Sequence, residues 1–557
     1  MKGINKKMDS NKQMADLLFK NITKTPDDYE QMYPKRNLEE GAVVTRFAPS
    51  PTGFLHFGGL FAAFIGKTAT KSTNGVFYLR IEDTDKKREV ENGVSLIVKG
   101  LNDFGIEIDE GMLSETDEKG AYGPYTQSKR KDIYQAYVKS LVEQGLAYPC
   151  FMTEEELATI REKQESEKLL PGVYGEFAKY RDITVEEAQK RIENGDEYVV
   201  RLKSPGKEDK RIKFKDVIKG EIEMPENILD VVLLKKDGTP TYHFAHVVDD
   251  HLMRTTHVIR GDEWISSVPI HLQLFWLCGL KPPKYAHISP IMKEENGGKR
   301  KLSKRKDPEA AVSYYSEVGY PKGAIWEYLM TLANSNYEDW RLANPNEDID
   351  NFKFSKMSKA GALFDMVKLA DVSKNYICRL SAEEVYEMVT DWAKENNKKL
   401  YKLLVDDEEY AKAIFAIERG NAKPRKDISA WTDVENYVSY FYSELWDRKF
   451  DFPDNLSNDD MIEILELYKQ IYDENVSSDD WFPQVRDMAE TIGYAKAPKV
   501  YKKDPDSYKG HVGDVAGVIR VAATGRRNTP DLYEILQVLG KDEVMKRFDE
   551  AIESLRG

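Results

Sequence analysis

Between Val43 and Ile81 the chain reads strand, loop, helix, strand, and no other stretch restricts the fold as strongly. VVTRF (Val43 to Phe47) is short and β-branched, as a buried strand is. APSPTG follows, and a loop so rich in proline and glycine cannot lie inside a helix. LFAAFIGKTATKS has helical character, Asn74-Gly75 is a turn, and VFYLRI (Val76 to Ile81) reads as a second strand. A strand–helix–strand crossover joins parallel strands. The expectation is therefore an α/β fold, a doubly wound parallel sheet with its ligands at the carboxyl ends of the strands.

The rest of the chain is organised around that unit. A length of 557 residues predicts about three to four domains. Residues 1–42 precede the sheet as an extension, and the polar residues 1–13 read as a flexible leader. The sheet domain occupies 43–120, an insertion with helices and shorter strands 121–238, and the resumed sheet 239–294. A linking segment, 295–384, leads into a helical region, 385–557, where apolar residues recur with helical period, as in MIEILELYKQIYDE. Charge is segregated there: residues 451–480 hold ten acidic and one basic side chain, residues 496–527 eight basic and three acidic. The net charge of −14 excludes a global basic field, so a nucleic acid would have to meet local patches. Three scattered cysteines without a CxxC pair argue against a disulfide framework or a thiolate zinc site, and fit a reducing compartment. Val268 to Leu280, the most apolar stretch, is too short to span a bilayer and is interrupted by His271 and Gln273.

Four segments carry chemistry. In RFAPSPTGFLHFGG, His56-Phe57-Gly58-Gly59 opens the helix; free N–H groups and the dipole there favour phosphate, and glycines allow close approach. Alone, the same residues would be a capped loop histidine. Gly66-Lys67-Thr68 mimics the end of a P-loop, but Phe61 stands where that motif needs glycine. KRKLSKRK (Lys299 to Lys306) has six basic side chains in eight positions after Gly297-Gly298, and reads as a mobile polyphosphate clamp or a solvated charge run. Arg80-Ile81-Glu82-Asp83-Thr84-Asp85 closes a strand, with Arg80 and Glu82 on one face. The fourth segment holds Tyr242, His243, His246, Asp249, Asp250 and His251, then Arg260 and Glu263-Trp264. A spacing of five does not put His246 and His251 on one helical face, which disfavours a metal site.

Together these motifs resemble the class I glutamyl-tRNA synthetases. His56-Phe57-Gly58-Gly59 resembles the His-Ile-Gly-His signature, and Lys301-Leu302-Ser303-Lys304-Arg305 the Lys-Met-Ser-Lys-Ser loop. RIEDTD, GPYTQSKR, VIRGDEW and VAATGRRNTPDLYEILQVLG also match in order. The Pro-Glu-Pro-Asn loop of the glutaminyl branch is not present. The resemblance implies a split Rossmann catalytic domain, an inserted acceptor-stem domain, a stem-contact linker and an all-α anticodon-binding region. It implies that glutamate is activated by ATP with Mg²⁺ and transferred to the terminal adenosine of tRNA(Glu). His56 and Lys304 would stabilise phosphate charge; Gly58, Gly59, Glu263, Trp264, Lys301 and Ser303 would hold ATP. Arg46, Ser50, Glu82, Tyr242, His246 and Arg260 would hold glutamate, with histidine at 246 where many relatives have asparagine. Relatives that bind zinc use cysteines in the insertion; with Cys150 alone there, no zinc is expected. A cytoplasmic monomer without membrane contact is implied. The competing readings are an enzyme that also charges tRNA(Gln), a truncated paralogue that modifies a tRNA base, an inactive RNA-binding paralogue and a small nucleotidyltransferase. The helical region from about 385 argues against the truncated forms.

Overall fold

Short β-branched runs alternating with helices build two half-sheets, each mainly parallel with an antiparallel edge, that meet edge to edge. The computed structural model describes residues 2–52, 55–84, 90–303, 305–334, 336–347 and 352–557, with side chains from Met8 onward. It divides into two compact units, Met1–Tyr314 with Leu329–Asp365, and Tyr315–Tyr328 with Met366–Gly557.

In the first unit, α1 (Lys2–Leu18) and α2 (Pro26–Met32) precede β1 (Val44–Phe47), α3 (Phe57–Lys71) and β2 (Val76–Leu79). β1 and β2 are parallel, Val44 facing Val76 and Phe47 facing Leu79, so the crossover read from the sequence forms. Asn74 turns with φ 49°, and a Cβ on Gly75 would lie 1.9 Å from the Val43 carbonyl; only glycine lets β2 start so close to β1. Gly66 of the false P-loop instead packs α3 on the sheet, where a Cβ would come 2.8 Å from the Phe77 ring. After α4 (Gly93–Asn102), β3 (Glu110–Met112) pairs parallel with β2, and β4 (Glu118–Lys119) closes that edge antiparallel.

The insertion supplies α5 (Lys131–Glu143), β5 (Ala147–Cys150), α6 (Glu154–Ser166), α7 (Val185–Glu193), β6 (Val199–Leu202), β7 (Arg211–Asp216), β8 (Gly220–Pro225) and β9 (Val232–Leu234). β5, β6 and β9 form their own antiparallel sheet. The β7–β8 hairpin does not belong to it. The chain then runs through α8 (Tyr242–Leu252), β10 (His257–Gly261), α9 (Val268–Leu277) and β11 (Lys284–Ile288), and these strands order as β10-β11-β7-β8. A hairpin within the expected insertion thus extends the second half-sheet, through Tyr285 opposite Asp216. Thr256 N–H donates to the Val44 carbonyl at 2.9 Å and seats β10 beside β1. That seam is where a doubly wound sheet opens its crevice.

The most apolar stretch of the sequence forms α9, which is buried on more than one face. Val268, Pro269, Leu272, Leu274 and Phe275 are buried around it, and so are His271 and Gln273. The N-terminal leader is a correction. Residues 2–13 are helical rather than flexible, because they continue into Met14 and Ala15, which are buried, and α1 packs on α5. Past α2, Arg36 holds Glu110 in a fork at 2.7 and 3.0 Å, and Arg254 donates to Glu30 at 2.7 Å. β12 (Met292–Glu295) and β13 (Gly298–Lys301) form a hairpin through Asn296-Gly297, with both φ positive, and β12 pairs with β14 (Leu363–Phe364). The start of the lysine segment is therefore strand, not a glycine-hinged loop.

The second unit has no strand among its described residues. Helix Asn458–Ile471 buries Met461, Ile464, Leu465 and Tyr468, the spacing of one helical face. Leu532–Leu539 and Lys541–Arg556 are separate helices, parted at Gly540 with φ 74°. The segregated charges partly meet each other: Lys509 holds Asp460 and Glu463 at 2.7 and 2.9 Å, and Arg527 holds Asp451 at 3.0 Å. Lys499, Lys502 and Lys503 stay exposed. The basic stretch expected to meet tRNA is thus narrower than its charge count. No helix among the described residues is long and apolar enough to cross a membrane.

Candidate active site

A cavity of about 790 Å³ opens at the carboxyl ends of β1 and β10, in front of the N-terminus of α3. Its wall brings together eleven of the residues singled out from the sequence: Arg46, Ser50, His56, Gly58, Gly59, Glu82, Tyr242, Arg260, Glu263, Trp264 and Lys301. A volume of that order suits a small molecule with a nucleotide.

One side is built for phosphate. His56 is the N-cap of α3, and its Nδ1 accepts from Gly58 N–H at 2.9 Å. An imidazole accepting at Nδ1 carries its proton on Nε2 when neutral, so the ring presents a donor beside the helix N-terminus. A Cβ on Gly59 would stand 3.1 Å from Leu55 and 3.5 Å from the Phe47 ring, so this glycine keeps the cavity floor low. Across the cavity, the exposed Glu263 carboxylate folds back over Gly261, and the Trp264 ring packs on Tyr242 with centroids 4.3 Å apart. Lys301 ends β13 at the cavity, whereas Arg300 beside it is committed to Asp307, at 2.6 and 2.7 Å, and to Glu295. Ser303 does not line the cavity; its N–H donates to Asp307. Lys304 lies outside the described residues.

Beneath β1 and β2 is a buried ionic lattice. Asp250 accepts from Arg46 Nε at 3.1 Å and from Arg80 Nη1 at 2.7 Å. Arg80 Nη2 donates to Glu82 at 3.1 Å, which bears out the expectation that strand alternation puts them on one face. Next to Asp250, Asp249 accepts from Arg130 Nε, Gln127 Nε2 and the Tyr134 hydroxyl at 2.7 to 2.9 Å. Burial opposes the charge on Asp250, but Arg46, Arg80 and His246 hold it well below the usual carboxylate range. Glu82, half-buried at the rim, is pushed up by desolvation against the pull of Arg80 and Arg46.

Arg260, 7% exposed, has different company. Its Nε donates to His287 Nε2 at 3.1 Å, Nη1 to the Tyr242 hydroxyl at 3.2 Å, and Nη2 to the Trp264 carbonyl and His271 Nδ1, both at 3.3 Å. The Tyr285 ring lies under the guanidinium at 4.9 Å. Among the described residues no carboxylate pairs with it. Burial pushes the neighbouring His243 and His246 down to about 4, and His271 well below its ordinary value.

His246 does not reach the cavity. Tyr242, His246 and Asp250 stand one helical turn apart on α8, and only the first reaches the wall. His246 is fully buried behind Tyr242, with Nε2 3.1 Å from the Tyr285 hydroxyl. Its Nδ1 lies 2.5 Å from Asp250, off the line of a hydrogen bond. Among the described residues no group of three or more His, Cys, Asp or Glu is arranged to hold a metal ion. Sequence reading missed Gln127, Ser289, His271 and His287. The signal for His271 was present: a histidine in an apolar run, read only as an interruption.

Residues 42–371 match the family described as tRNA synthetases class I (E and Q), catalytic domain, and residues 506–552 match an anticodon binding domain. The glutamate–tRNA ligase of Clostridium perfringens (strain SM101 / Type A) is 54% identical over 545 residues, covering 97% of this chain and 99% of that protein. That of Sorangium cellulosum (strain So ce56) is 46% identical over 552 residues, covering 94% and 97%. The crystal structure of a glutamate tRNA ligase from Elizabethkingia meningosepticum, in complex with its amino acid, superposes with a TM-score of 0.74 at 30% identity, covering 92% of this chain and 99% of that one.

Proposed function

The chain belongs to the class I tRNA synthetases of the E and Q type, and from that membership we propose that it acts as a glutamate–tRNA ligase. The observation that carries the choice of amino acid is Arg260: a buried cation on the cavity wall without a carboxylate partner among the described residues. A guanidinium fork matches a carboxylate in two parallel hydrogen bonds, and the glutamate side chain supplies one. Glu82 at the opposite rim takes the α-ammonium group, with Ser50 and Tyr242 lending hydroxyls and Arg46 closing the cationic wall.

In this reading the α-carboxylate of glutamate attacks the α-phosphate of ATP and pyrophosphate leaves. The terminal ribose hydroxyl of tRNA then attacks the acyl carbon and expels AMP. Such transfers depend on in-line placement and stabilisation of developing charge more than on a strong base. His56 Nε2–H, the Gly59 N–H and Lys301 are donors for that charge, with Gly58 N–H holding the His56 ring; Ser303 and Lys304 belong to the same segment. Glu263 and Trp264 border the adenosine end. Magnesium enters with ATP as the counter-ion of its phosphates. The helical second unit reads the anticodon, and the protein works as a cytoplasmic monomer, a compartment that fits three free cysteines.

The test is aminoacylation with radiolabelled glutamate, comparing purified tRNA(Glu) with tRNA(Gln). Charging of tRNA(Glu) is expected; failure with both at saturating ATP sinks the reading. Charging of both would make the enzyme non-discriminating. Lys304→Ala should lower turnover about a hundred- to thousand-fold, and Lys306→Ala far less. Equal small effects would remove Lys304 from the site.

A further inference from the structure

A guanidinium can only donate hydrogen bonds, so each ring nitrogen that meets Arg260 must be a bare acceptor. That fixes two imidazoles completely. His287 accepts at Nε2, so its proton sits on Nδ1 and goes to Asp216 at 2.7 Å. His271 accepts at Nδ1, so its proton sits on Nε2 and faces His243 Nδ1 at 3.0 Å. Both rings are fully buried. Asp216 is the carboxylate behind His287. It is already occupied by the N–H groups of Ile218 and Lys219 at 2.9 and 2.8 Å, besides that of His287. Negative charge is thus kept one imidazole away from Arg260.

We propose that His271 and His287 are specificity-determining positioning residues: they aim the Arg260 fork through uncharged acceptors, so its charge stays unneutralised until the glutamate side-chain carboxylate arrives. This deepens the glutamate–tRNA ligase reading and rests on it. A carboxylate in either place would aim the fork equally well but would already occupy it, as Asp250 occupies Arg46.

Isosteric pairs separate geometry from charge. In His271→Asn and His287→Gln an amide oxygen can stand where the ring nitrogen stood; His271→Asp and His287→Glu put a carboxylate in the same place. Steady-state aminoacylation of tRNA(Glu) is measured for all four, with inhibition by L-glutamine as the uncharged analogue. The acids are expected to raise the glutamate KM at least about 30-fold while the amides raise it less than about 3-fold. The KM for ATP and inhibition by glutamine should move little in either. Similar glutamate KM values for acid and amide at both positions would overturn the proposal, whether both are near wild type or both are damaged. If the acids do not fold, His271→Leu and His287→Leu take their place. Loss of glutamate affinity in these, restored in the amides, supports the proposal, and equal affinity in both overturns it. A wild-type protein that charges no tRNA with glutamate would instead sink the parent reading.

Discussion

Arg46 and Arg260 stand on neighbouring strands of one cavity wall, 6% and 7% exposed, and are held by opposite kinds of partner. Arg46 belongs to a lattice in which Asp250 serves two guanidiniums at once. Arg260 lies among imidazoles, a phenol and a carbonyl. Burying a charge is costly unless it is paired, so the first arrangement is what stability alone would select. The second leaves a charge that only a ligand can pair. The comparison teaches that residue type on a binding wall does not define the substrate. The neighbours do, by deciding which cation has already spent its charge.

The sharpest way to break the comparison is through the shared carboxylate. Asp250→Asn would leave Arg46 and Arg80 buried together without their counter-ion, which should cost about 3–5 kcal/mol of stability. Urea denaturation reads it directly. A loss below about 1 kcal/mol would mean that Arg46 is not anchored as its distances indicate. Arg260→Gln is the converse. It leaves neutral rings behind, so stability should fall by only about 1–3 kcal/mol, while the glutamate KM rises by the equivalent of about 2–5 kcal/mol and the KM for ATP barely changes. Unchanged glutamate dependence would take Arg260 out of the site.

Much of this was legible in the sequence, for identifiable reasons. The βαβ unit declared itself because its strands, proline loop and turn are local, and HFGG falls at the only helix start that loop allows. Arg46, Arg260, His56 and Lys301 followed from a resemblance carried by contiguous motifs. What was not legible is set by partners far apart in the chain. Arg46 and Asp250 are 204 residues apart, and nothing in VVDDH says that one aspartate neutralises two arginines while its neighbour holds Arg130. His246 could be placed on a helix but not behind Tyr242, because its orientation depends on β11. The leader misread has the same cause: residues 2–13 lack an apolar face of their own, and their helix depends on Met14, Ala15 and the surface of α5.

The remaining way to break the comparison concerns acid sensitivity, and it separates the two beds without touching the substrate. His246 faces Asp250 and Tyr242 on its own helix, Arg46 from β1, Arg260 from β10, His271 from α9 and Tyr285 from β11. Burial brings it to about 4, with Arg260 and Arg46 adding to that and Asp250 opposing it. An unfolded histidine titrates near 6.5, so between pH 6.5 and 4 the unfolded chain binds a proton that the folded one refuses. Stability from this group is therefore complete above pH 6.5 and is lost as pH falls, by about 1.4 kcal/mol per unit while the difference lasts. His243 and His271 act in the same sense. The Asp250 contribution is lost only lower, as pH falls below the ordinary carboxylate value of 3.8. His246→Asn, which removes the titrating ring, should make the upper window shallower, with His243 and His271 still contributing to it, and leave the lower one unchanged. Urea midpoints from pH 7 to 3 would show it. Parallel wild-type and variant curves through the upper window would mean that His246 is protonated in the folded protein, and that the bed behind Tyr242 carries charge after all.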